Sequence, residues 1–317
     1  ELNKLDAIAR GKIIYGNAIG ATALLTAGSN GTVLTSDGTD ISWSAANGGV
    51  THKEGGTNFT NSLLVGTDST GTLNSALCNT GVGIGAFAAL TSGDNNTATG
   101  FRSLQCNTTG SGNTAVGNQA LCGNSTGNYN TAVGSFALLD VDAGADNNTA
   151  VGRSSMITLS TGDGNTAVGA QSLRSATTPS NNTAVGLCSL YTNTTGAGNV
   201  AIGRNALFTN TTGTENVAIG LYALNANTTG DRNVAIGCGA LDANTTADTN
   251  TAVGSNALGV NITGSSNTAL GDLSLDANTT GSNNTAVGRS TLGANTTGGC
   301  NTTMGQGSLN SNTTGAT

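Results

Sequence analysis

A glycine that returns every 17 residues limits what this chain can fold into. It closes each Asn-Thr-Ala-Val-Gly phrase at Gly100, Gly117, Gly134, Gly152, Gly169, Gly186, Gly203, Gly220, Gly237, Gly254, Gly271, Gly288 and Gly305, with a single step of 18 between Gly134 and Gly152. Upstream, Gly66 and Gly85 read as less regular versions of the same mark. A unit this short cannot hold a pair of helices, and its apolar residues do not follow a 3.6-residue period. One unit therefore reads as one coil of a parallel β-solenoid, an all-β repeat fold. With coils about 4.8 Å apart, the regular ones would form a rod about 60 Å long.

Aligning the coils assigns a part to each position. Immediately before the marker glycine stands an apolar column that includes Val116, Val133, Val168, Val185, Ile202, Ile219 and Ile236, expected to be core. Four residues after it stands a second, including Leu104, Leu121, Leu207, Leu224 and Leu241, expected to face the first across the coil. Beside these run columns of small residues, Ala115 to Ala286 next to the valines and Ser103, Ala120, Ala137 and their equivalents next to the leucines. Because neighbouring residues of a strand point to opposite faces, the small columns are expected on the outside. A face kept uniformly small implies a close neighbour, and three identical chains around one axis would supply it. One Val and one Leu per coil is little burial for 17 ordered residues, so hydrogen bonds between coils and partner chains are expected to add stability. Two asparagine columns, one with Asn113, Asn130, Asn165, Asn199, Asn216, Asn233 and Asn267, the other with Asn107, Asn124 and Asn193, are expected at the corners. Asn tolerates left-handed turns, and stacked amides can bond as a ladder.

Composition agrees with an ordered but unusual chain. Of 317 residues 49 are Gly, 9% are charged and 3% aromatic, which excludes an ordinary globular core, while 36% apolar residues placed periodically argue against disorder. The net charge of -7 and the scattered basic residues exclude a nucleic-acid partner. No apolar run reaches the roughly 18 residues that would span a bilayer, so membrane insertion is not expected. The six cysteines lack the paired spacings of a zinc site or a disulfide framework and read as mostly free thiols.

No residue constellation in the sequence reads as an enzyme's. His52, the one histidine, has no relay partner at useful spacing. Fragments such as Gly81-Val-Gly83-Ile-Gly85 lack the helix and lysine of a phosphate loop. The 18-residue coil places Asp140, Asp142 and Asp146 around a glycine, a calcium candidate whose competing reading is a solvated bulge; no other cofactor is expected. Arg153, Arg204 and Arg289 share the place after the marker glycine and form an exposed row. Asn-x-Thr triplets match the N-glycan acceptor but fall on the corner columns.

Three parts follow: residues 1–46 as a small N-terminal β module, 47–60 as a linker and 61–317 as the solenoid shaft. In the first, residues 32–35 and 41–43 alternate like strands around Ser36-Asp37-Gly38. The phrases Asn267-Thr-Ala-Leu-Gly and Asn278-Thr-Thr-Gly-Ser-Asn-Asn-Thr-Ala-Val-Gly288 resemble repeats of phage tail fibres, and Asn-Val-Ala-Ile-Gly at 199–203, 216–220 and 233–237 is similar to the heads of trimeric autotransporter adhesins. The segments Arg10-Gly-Lys-Ile-Ile-Tyr-Gly-Asn17 and Gly31 to Trp43 resemble a module near the front of phage structural proteins. The resemblance implies a homotrimeric tail-fibre shaft on the virion. Its partners would be baseplate or other tail proteins and, through a tip outside this chain, a host receptor. A bacterial cell-surface adhesin or extracellular filament is the alternative. An ice-binding face built on Thr108, Thr194, Thr211 and Thr228 is a third reading. The stop at Thr317, half a coil past a marker, leads to the expectation of a longer parent chain, a cleaved terminal chaperone or end-to-end contact.

Overall fold

The computed structural model describes residues 12–16, 22–26, 32–36, 41–45, 52–54, 60–66, 70–141 and 144–315. The chain divides into two units, Glu1–Thr51 and His52–Thr317. The first contains two antiparallel pairs, β1 (Lys12–Gly16) with β2 (Thr22–Thr26) and β3 (Thr32–Ser36) with β4 (Ile41–Ala45). The turn expected at Asp37-Gly38 lies outside the described residues.

The second unit is a β-solenoid with about 17 residues per turn. Its sheet opens with β5 (His52–Glu54), which pairs antiparallel with β6 (Leu63–Val65). From there every strand, β7 (Thr80–Val82) through β20 (Thr302–Met304), stacks parallel on the one before, and β5 to β20 make one sheet of 16 strands. Residues 52–54 therefore belong to the sheet and not to a linker, and His52 stands opposite Val65. The register is coil on coil: Val200 pairs with Val217, Ala201 with Ala218, Ile202 with Ile219. Backbone bonds along the axis continue past the strands, from Leu207 N–H to Ala223 O (3.0 Å), Thr211 to Thr228 (2.9 Å) and Glu215 to Ala197 (3.0 Å). Nearly the whole perimeter thus satisfies its peptide groups through its neighbours, as a buried backbone must.

The inside of the coil differs from the expectation. In each Thr-Ala-Val or Val-Ala-Ile strand the central alanine is buried and both neighbours face out. Val116, Val133, Val168, Ile202 and Ile236 are 37–38% exposed, and Val185 and Ile219 are half-buried. The valine column is thus outer surface, and the alanine column is core. Likewise Ser103, Ala120, Ala137 and their equivalents are fully buried inside the single chain, next to the fully buried Leu104, Leu121, Leu207, Leu224 and Leu241. The physical reason is width: a coil this thin holds one large side chain, the leucine, and every other inward position must be small. Two consecutive residues can both point inward because the leucine leaves the pleated conformation, with φ of 54° at Leu207 and 52° at Leu224.

The remaining interior is amide. Asn199 and Asn210 of one coil both donate from Nδ2 to the carbonyl of Gly213, at 2.8 and 2.9 Å. Up the axis, Asn216 Oδ1 accepts the backbone N–H of Asn233 at 2.9 Å, and Asn227 Nδ2 donates to Asn210 Oδ1 at 2.8 Å. Both asparagine columns form ladders and are buried up to Asn301, but neither takes the left-handed conformation. That falls to the residues beside one of them, such as Asn181, Glu215 and Asn283, with φ of 58–60°.

Marker glycines from Gly83 to Gly288 hold φ of 131–141°, a region closed to other residues. Gly83, 17 residues after Gly66 and 17 before Gly100, is the marker of its coil, while Gly85 sits two places later, in register with Arg102. The repeat is therefore more regular than the sequence suggested.

Candidate functional site

With the small residues inside, the outer surface is what the molecule offers. The sheet presents two columns on every coil: Thr or Val at the first strand position and mostly Val or Ile at the third. From Thr80 to Met304 neither column contains a charged residue. Around the corner of the marker glycine the exposed Ile84, Phe101, Leu187 and Leu221 share their column with Arg153, Arg204, Asp272 and Arg289, so the uncharged face ends at that corner. The result is an uncharged stripe on a water-facing sheet, the kind of surface that interaction sites commonly use.

Charge is kept to the other sides. Asp94, Asp146, Asp163, Asp231 and Asp248 share one column, eleven places after the marker in ordinary coils. Their carboxylates accept backbone N–H groups from the preceding coil, for example Thr214 N–H to Asp231 Oδ1 at 2.7 Å and Asp231 N–H to Asp248 Oδ1 at 2.8 Å. These acids are axial braces. Asp146 is one of them, since its Oδ1 accepts the Asn128 N–H at 2.6 Å. Asp140 is exposed, and Asp142 lies outside the described residues, as does half of the bulge that would bring the calcium candidates together. Among the described residues no group of three or more metal-ligating side chains converges.

The chain matches no known family, no curated protein and no solved structure. The surface must therefore be read from its own chemistry.

Arg153, Arg204 and Arg289 are exposed in their row, and Arg289 pairs with Asp272 at 3.3 Å with both side chains about half in water. Thr108, Thr194, Thr211 and Thr228 each donate their hydroxyl to a carbonyl of the next coil at 3.0 Å. Those hydroxyls are committed along the axis instead of being presented to water. On the side after the leucine column, Tyr191 and Phe208 stack at 5.0 Å between ring centres, and the Arg174 guanidinium lies over Tyr191 at 5.6 Å. Further along it, burial raises the carboxyls of Asp242 and Asp276 above their ordinary range, opposed at Asp242 by a bond from Asn225. Asp242 Oδ1 is buried without a donor.

Sequence hydropathy alone does not reveal the stripe, because an apolar column in the aligned repeat reads as core. One signal could have found it. The inner column is Ala in every coil from Ala98 to Ala286, whereas the outer one varies among Thr, Val, Ile and Leu. Strict uniformity of size belongs to the confined side.

Proposed function

We propose that this chain is a structural shaft that associates with copies of itself along its uncharged Val/Ile stripe and acts as the stem of a phage tail fibre. The single observation that carries the reading is the stripe, which recurs on every regular coil without a charge. Parallel copies aligned coil for coil would cover it along its whole length. The homotrimer now rests on this outer valine face and on the resemblance to trimeric adhesin heads; the small-residue columns, being internal, no longer argue for it. Resemblance of the repeat and of the N-terminal segments to phage fibre proteins favours the virion. There the shaft would hold a receptor-binding tip at a distance, with tail or baseplate proteins at its other end.

The Asn-Val-Ala-Ile-Gly phrases at 199–203, 216–220 and 233–237 favour a second setting, a bacterial surface adhesin or filament, for the same shaft. Sedimentation equilibrium of the purified chain tests the assembly: a mass three times 30.8 kDa is expected, and a folded monomer at micromolar concentration would end the proposal. Immunogold labelling of the native source separates the settings, since label on particle tails supports the fibre and label confined to cell envelopes removes it.

A further inference from the structure

Of the six cysteines only Cys106 and Cys122 lie on adjacent coils. The Cys106 N–H donates to the Cys122 carbonyl at 3.0 Å, and the Cys106 sulfur is near enough to Cys122 to act on its thiol. With ordinary bond lengths, that single N–H to C=O bond keeps the two Cα atoms within about 6.5 Å of each other, inside the range of about 4.4–6.8 Å that a disulfide bridges. Cys106 is exposed, and Cys122 is half-buried with Sγ 3.5 Å from Gln105 Oε1.

A second feature marks the same place. The corner ladder beside these cysteines is only two amides long here, Asn107 and Asn124, with Leu90 before it and Val141 after it. Asn124 Nδ2 bonds to Asn107 Oδ1 at 3.0 Å, but Asn124 Oδ1 is buried without a donor because Val141 has none to give. Elsewhere the ladder runs unbroken from Asn193 to Asn312.

We infer that Cys106 and Cys122 form a disulfide between neighbouring coils when a small-molecule disulfide is present, clamping the stack where its corner ladder is shortest. Cys106, the more accessible, attacks as thiolate and displaces one thiolate from the small disulfide. Cys122 then attacks Cys106 Sγ and expels the second. One S–S bond forms and one breaks; the two cysteines lose two protons and two electrons, and the reagent leaves as two thiols. Burial, and after it the neighbouring Cys106 sulfur, push the Cys122 thiol up, so the more accessible Cys106 takes the first step and proximity carries the second.

The whole chain is suited to the test, because tryptic peptide Ser103–Arg153 contains both cysteines and no others. After incubation with oxidised glutathione, alkylation and digestion without reduction, this peptide should weigh two hydrogens less than its reduced form and take up no alkyl group. Dithiothreitol should restore both thiols, and Cys106→Ser should remove the mass loss. In the oxidised protein, amides of residues 104–125 should exchange more slowly than in the reduced one. Glutathione retained on either cysteine, a peptide cross-linked to a second chain, or two alkylated thiols would each overturn the inference.

Discussion

Leu207 and Leu224 pair full burial with a backbone conformation that L-residues avoid. Their column holds only Leu, Phe and Met, and never a residue branched at Cβ, from Phe87 to Leu309. The choice is conformational as much as volumetric. Leu224→Met, which copies Met156, should cost under about 1.5 kcal/mol, the usual toll of a volume-conserving swap. Leu224→Ile preserves volume too but adds left-handed strain to a β-branched residue, so a loss of about 2–3 kcal/mol is expected. Denaturant midpoints at unchanged slope measure both; equal costs would contradict the conformational account. Asp242 makes a second residue-level case. Its folded-state pKa is raised by burial, so between the unfolded and folded values the folded chain binds more protons, and stability falls as pH rises. Asp242→Asn should therefore be the more stable protein at neutral pH, with the gain shrinking as pH falls through the carboxylate range. A gain that grows on acidification would refute this.

Each coil behaves as a small container with a constant volume, and one of them shows the rule by exchange. Gly81 stands where every coil from Ala98 to Ala286 has Ala, and Phe87 stands where most coils have Leu. A Cβ on Gly81 would lie 2.8 Å from the Phe87 ring and would also meet the Leu64 side chain. Gly81→Ala alone should destabilise by overpacking, about 1–3 kcal/mol, and adding Phe87→Leu should recover much of that loss. Additive effects in a double-mutant cycle would deny the exchange. This pairing also shows how far the sequence could be read. Coil length, parallel stacking, the leucine column and the asparagine ladders all follow from repetition and amide chemistry. The in-or-out sense of a three-residue strand does not, because Thr-Ala-Val carries one small and two β-branched residues and fits either face by alternation alone. Only the coil's cross-section decides it. The β5 strand was equally hidden, since His-Lys-Glu at 52–54 has no strand composition and is ordered by pairing with β6.

At the level of the molecule, the residues that fill a coil are distinct from those of the proposed association stripe. Leucines, alanines and asparagines hold the inside, while the Val/Ile stripe faces out and is the proposed seam between chains. The two should separate by mutation. Ile202→Asp, Ile219→Asp and Ile236→Asp together should leave the β-sheet circular dichroism in place and reduce the assembly to single chains, read by light scattering. Loss of the β signal at low concentration would instead show that the stripe is needed to hold the coil itself.

The antiparallel β5 also gives the stack a direction. Everywhere else a strand meets its neighbour running the same way, so each turn is a template for the next; at the β5 edge the template is reversed. A further turn of this repeat could not extend the ladder in register on that side, and two such stacks could not fuse head to head through it. The rod is thus a one-way object, stoppered at one extremity by three residues.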